Sequence, residues 1–154
     1  MSNPNYDNPA VEERWCYDRR ADVVDYLARE GVVHGQVGEW PAWHITPYIS
    51  IWAVESHKNP EWVGWWVICG DLPTDYISAQ SIKHPREAMR GFAERWQEVA
   101  SYMSQGKPHP TIKIGSPLVW SELAPLLQTR AKLLLEYAND NDIWVEIDSR
   151  DESD

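Results

Sequence analysis

Apolar positions recur at helical spacing in three stretches of the chain and alternate strand-like between the first and second of them. The strongest helical signal is Met89, Phe92, Trp96, Val99 and Met103, with Arg90, Glu94, Arg95 and Glu98 between them. That period predicts an amphipathic helix, opened by His84-Pro85. An earlier helix is bracketed by Asn8-Pro9, a capping side chain followed by a residue that needs no N–H, and by Gly31 after "YLARE". Its expected inner face is Val11, Trp15, Val23/Val24 and Leu27, with Glu12, Glu13, Arg19, Arg20 and Arg29 toward water. Ser116-Pro117 opens the last helix, whose face is Leu118, Leu123, Leu126/Leu127, Ala131, Leu134 and Ala138; Pro125 is expected to kink or divide it.

"HITPYISIWAVES" (44–56) alternates as one strand, with Pro47 near its start or on an edge. Beyond Asn59-Pro60, "WVGWWVICG" reads as a second strand, and a third is expected from Tyr76 to Ile82. Short connections favour an antiparallel meander over parallel crossovers. The expected fold is α+β: a small antiparallel sheet of about three strands or more with helices packed on one face, in the order α-β-β-β-α-α. A chain of 154 residues with 43% hydrophobic content fits one domain over 9–145, between a flexible 1–8 and an acidic, disordered 146–154.

Charge sharpens this picture. The net charge is −10, but from Glu136 onward eight acids stand against Arg150, a balance of −7 that leaves −3 for residues 1–135. The acidity therefore sits mostly at the end. No basic stripe is present to neutralise phosphates, which argues against nucleic acid as a partner. No apolar run is long enough to span a membrane and the first residues lack a secretory pattern, so the expected address is the cytoplasm, with Cys16 and Cys69 as reduced thiols. The unusual quantity is tryptophan: ten residues, against a single phenylalanine, Phe92. Trp15, Trp52, Trp65 or Trp66, Trp96 and Trp120 fall on patterned faces. Trp40, Trp43 and Trp62 fall in loops, where indoles serve as anchors for a partner.

Candidate chemistry gathers at "GDLPTDY" (70–76), directly after the second strand. Read as a proline turn, it brings Asp71 and Asp75 to within about 7 Å, where two carboxylates can share a proton or hold a cation, with Thr74 and Tyr76 beside them. The same residue types also serve as ordinary turn formers, with Asp and Thr accepting backbone N–H bonds. Arg86 and Arg130 are the cations expected to meet this turn, and Glu55 and Glu39 are further members of the polar cluster. His34, His44, His57, His84 and His109 fall in separate segments without zinc spacing. No nucleophile elbow, phosphate loop or dinucleotide motif is present. No metal and no cofactor is expected.

The blocks "YLAREG" (26–31), "SIWAVES" (50–56), "WWVICGDLPTDY" (65–76), "PREAMRGFAERWQ" (85–97) and "TRAKLLLEYA" (129–138) resemble a bacterial domain-of-unknown-function family, DUF4826-like, found chiefly among Gammaproteobacteria. The resemblance supports the fold and implies no activity. The residues themselves lead to two functional expectations. The first is a small non-enzymatic cytosolic domain, immunity-like or chaperone-like, that binds another protein through its aromatic loops. The second is a small hydrolase or small-molecule-binding domain centred on Asp71 and Asp75.

Overall fold

The computed structural model describes residues 5–112 and 116–145, in two compact units, Met1–Ala88 and Met89–Asp154. The expected acidic tail, 146–154, and residues 1–4 lie outside the described residues. The first unit carries α1 (Pro9–Arg29), β1 (Trp43–Ile45), β2 (Ile49–Glu55), β3 (Val63–Gly70) and β4 (Leu72–Ser78). The strands form one antiparallel meander in the order β1-β2-β3-β4. Then come α2 (Pro85–Ser104), a 3-10 turn over Pro117–Val119, α3 (Trp120–Asn139) and a last 3-10 turn over Asn141–Trp144. The fold is α+β, its four strands within the expected three or more.

α1 starts and stops where its punctuation predicts. The Asn8 side chain accepts a hydrogen bond from the Ala10 N–H at 2.9 Å, and the chain leaves the helix through Gly31 at φ 68°. Val23 and Leu27 pack on Val37, Trp52, Val54, Val67 and Cys69, so α1 covers one face of the sheet. Of the adjacent valines, Val23 is inward and Val24 exposed.

Two strand expectations are corrected. The 44–56 segment is two strands, because the chain reverses at Thr46-Pro47, a cis peptide, with the Tyr48 N–H bonded to the Ile45 carbonyl at 2.7 Å. Proline here has no N–H to give to a ladder, and the alternation continues through the turn only by coincidence of residue type. The third strand begins at Leu72 rather than Tyr76. The reversal is confined to Gly70-Asp71, with Gly70 paired to Leu72, and Pro73 is tolerated because β4 closes the strand order.

On the α1 side, the buried Ser50 hydroxyl donates to the Cys69 carbonyl at 3.0 Å and accepts from the Trp52 indole N–H at 2.9 Å. Both thiols are buried and free. Burial pushes Cys16 up to about 11, with Glu12 adding to the shift. Burial likewise pushes Cys69 up to about 11, against a smaller lowering by Ser50. Thiolate is thus scarce at neutral pH, and alkylation by iodoacetamide at pH 8 is expected to be far slower in the native protein than in urea. A raised thiol pKa favours folding while the thiol stays protonated. That contribution is full below the ordinary value of 9.0 and is lost as pH rises toward about 11. Urea midpoints taken across that window should fall with rising pH.

In the second unit, α2 turns Met89, Phe92, Ala93, Trp96, Val99, Ala100 and Met103 inward, as its period predicts. α3 buries Ala124, Leu127, Ala131, Leu134 and Ala138. The Arg90 guanidinium donates to the Ala138 carbonyl at 3.2 Å, which ties the second turn of α2 to the last of α3. Leu118, expected inside, is 92% exposed, because it lies in the 3-10 turn ahead of α3. Pro125 stands inside α3 without dividing it, and as its sixth residue it leaves the Ser121 carbonyl without the usual helical donor. Trp144, which no periodic pattern marked, is fully buried and donates its indole N–H to the Tyr137 carbonyl at 2.9 Å.

Candidate functional site

The "GDLPTDY" block does not form a carboxylate pair. With Leu72–Ser78 extended, Asp71 and Asp75 stand about 13 Å apart at the rise of a strand. Asp71 is exposed at the corner, where its backbone N–H donates to the Tyr48 carbonyl at 2.8 Å. Asp75 is buried, pairs across to Ile68, and accepts from the Tyr76 N–H at 2.9 Å. Tyr76 turns to the α1 side, edge-on to Trp65 at 5.7 Å and to Tyr26 at 5.9 Å. The Tyr26 phenol is raised well above its ordinary value, first by burial and then by the Asp75 charge. Thr74 is half-buried between the two acids. Arg86 sits in the first turn of α2, its backbone N–H bonded to His84 Nδ1 at 3.0 Å, and Arg130 is half-buried on α3 of the second unit. Both arginines have interactions of their own.

The loop tryptophans divide. Trp43, expected in a loop, is 6% exposed because it opens β1 and pairs with Ile51. Trp40 and Trp62 are exposed, at 48% and 67%. Both border cavities that meet at Glu39. One, of about 750 Å³, is lined by Glu12, Glu13, Arg14, Tyr17, Glu39 and Trp40. The other, of about 330 Å³, includes Glu39, Glu55, Glu61, Trp62 and Val63. Together they form an acidic trough with an indole on either side of Glu39.

Three groups of contacts, around His44, Arg20 and Glu55, hold this trough in shape. His44 Nε2 lies 2.7 Å from Glu12 Oε1, and its ring meets Trp40 edge-on at 5.3 Å and Trp15 stacked at 6.4 Å. The half-buried Arg20 donates to the Gly38 carbonyl at 2.9 Å and the Val37 carbonyl at 3.0 Å, anchoring the segment before Glu39 to α1. Glu55 accepts from the Gln36 N–H at 3.3 Å and the Glu61 N–H at 3.0 Å, which ties the Trp40 segment to the Trp62 loop. Glu61 itself is held at φ 77°, a conformation non-glycine residues adopt rarely and chiefly where the surroundings enforce it.

Arg20 and His44 were not legible as site residues, since their partners lie 17 or more positions away in sequence. Arg20→Ala should cost about 1.5–3 kcal/mol, because two charge-assisted bonds to carbonyls disappear. A urea melt measures this. An unchanged midpoint would mean that the loop holds its place without the clamp.

The acids number five along the trough, and Arg14, the cation among the residues named at its wall, is itself paired with Asp18 at 3.2 Å. Glu12 and Glu55 are committed to internal contacts; Glu13, Glu39 and Glu61 face outward. Carboxylates beside indole and phenol faces suit a cation, held by Coulomb attraction and by the ring quadrupoles. Among the described residues no group of three or more His, Cys, Asp or Glu side chains converges to hold a metal ion, and no helix is long and apolar enough to cross a membrane.

A family model described as "Domain of unknown function (DUF4826)" matches residues 10–144. No curated protein and no solved structure gives a significant match.

Proposed function

The chain belongs to the DUF4826 family, and from that premise we propose that it is a non-enzymatic protein-binding domain whose trough seats a basic segment of a partner protein. The observation that carries this reading is the pair of exposed indoles flanking Glu39, each in a cavity wall already shared with carboxylates. Exposed tryptophans are costly to leave in water, and they concentrate binding energy when a partner covers them. The acids add attraction at a distance and select against acidic partners. An immunity-like or chaperone-like role in the bacterial cytoplasm suits such a binder, and the two free thiols agree with a reducing compartment.

The test uses a lysine- and arginine-rich decapeptide, titrated while tryptophan emission is followed. Binding is expected to saturate, to weaken as salt is added, and to weaken about tenfold or more in Trp40→Ala, Trp62→Ala and Glu39→Lys. Because these side chains are exposed, the variants should melt close to the parent. Binding that ignores all three substitutions would overturn the assignment.

A further inference from the structure

On the α1 side of the sheet, the helix ends at Arg29. Leu27 is its last buried residue, and the chain turns away at Gly31. Further along the same sheet face, Val67 is fully buried, whereas Trp65 and Tyr76 are only half-buried. A cavity of about 500 Å³ lies here, with Trp65 and Tyr76 as the aromatic part of its lining. Its rim is formed by Glu30 and Gly31 from the end of α1 and by Ser56, His57 and Lys58 from the β2–β3 hairpin.

The rim carries opposite charges. At the helix end, the carbonyls of Tyr26, Leu27 and Ala28 are taken by the amides of Glu30, Val32 and Gly31. Beyond them stands the negative pole of the helix, reinforced by the Glu30 carboxylate, and this end favours a cation. Lys58 is exposed and makes no ion pair or hydrogen bond among the described residues, so its ammonium is available to an anion. Trp65 and Tyr76 line the same cavity as both charges, and its volume falls in the range of small-molecule sites.

We propose that this cavity binds a free α-amino acid with a ring-bearing side chain. The ammonium meets Glu30 and the end of α1, the carboxylate meets Lys58, and the side chain lies on Trp65 and Tyr76. None of the residues lining this cavity lines the trough, so either assignment can fail without the other.

The probe is L-phenylalanine, which leaves tryptophan emission free as a reporter when only indoles are excited. Saturable binding with a Kd below about 1 mM is expected. The analogues 2-phenylethylamine, 3-phenylpropanoate and L-alanine lack the carboxylate, the ammonium and the ring in turn, and each should bind about tenfold more weakly or less. In Lys58→Ala, a substitution on an exposed loop, L-phenylalanine should lose its advantage over 2-phenylethylamine while the melt stays unchanged. No saturable binding by 1 mM, equal binding of the analogues, or an unaltered preference in Lys58→Ala would each overturn the proposal.

Discussion

Trp96→Ala should destabilise the protein by about 3–5 kcal/mol, the range for removing a large aromatic side chain from a packed core. Trp96 is fully buried at the middle of the α2 stripe, with the Phe92 ring 6.3 Å away, and Met89, Val99 and Met103 continue the same face. These buried neighbours cannot fill the space an indole leaves without abandoning their own contacts, so a cavity remains. The measurement is a urea melt of the variant beside Trp96→Phe, which refills part of the volume and should recover part of the loss. If the alanine variant unfolds at the parent midpoint, the α2 stripe is not the core of the second unit.

Gly70→Ala is the other large effect expected, at about 2–4 kcal/mol, from backbone strain combined with a backbone clash. Gly70 has φ 140°, a region that side-chain-bearing residues essentially avoid. A Cβ there would also press into the Tyr48 carbonyl oxygen, and into the Ile49 Cα at 3.2 Å. Those atoms belong to the backbone at the start of β2, and the Tyr48 carbonyl already accepts the Asp71 N–H at 2.8 Å, so it cannot retreat without loss. Gly31→Ala is the control: its φ is 68° but nothing lies within 4 Å of the added carbon, so only the conformational part of the cost applies. Equal melts for the two variants would show that the contact at Tyr48 is unimportant.

The helices were legible because their signals are local. Asn8, Pro9 and Gly31 mark α1 through contacts no more than a few residues long, and the α2 stripe follows from period alone. The α+β class follows in turn from helices flanking alternating segments. The "GDLPTDY" block misled because Asp, Pro and Thr are turn formers in isolation, whereas pairing with β3 draws them into a strand and leaves the reversal to Gly70-Asp71. Trp40 and Trp43 lie three positions apart and look alike in sequence, yet only the pairing of Trp43 with Ile51 takes it inward. The trough was half visible, as exposed indoles and scattered acids. What assembles it is non-local: Arg20 reaching back to Val37 and Gly38, Glu55 bridging two loops, and His44 lying on Glu12.

The outer strand of the meander has a bearing on how the protein behaves at high concentration. β4 ends the strand order, and such strands invite a second chain to add on, the first step toward fibrils. Pro73 offers no N–H to a newcomer, and the Asp75 carboxylate already takes the N–H of Tyr76. A chain trying to zip alongside would meet a missing donor, then a carboxylate it must displace. The two residues that look most like turn chemistry in the sequence therefore guard the sheet against growth, and exchanging both for valine would make β4 a better template for self-association.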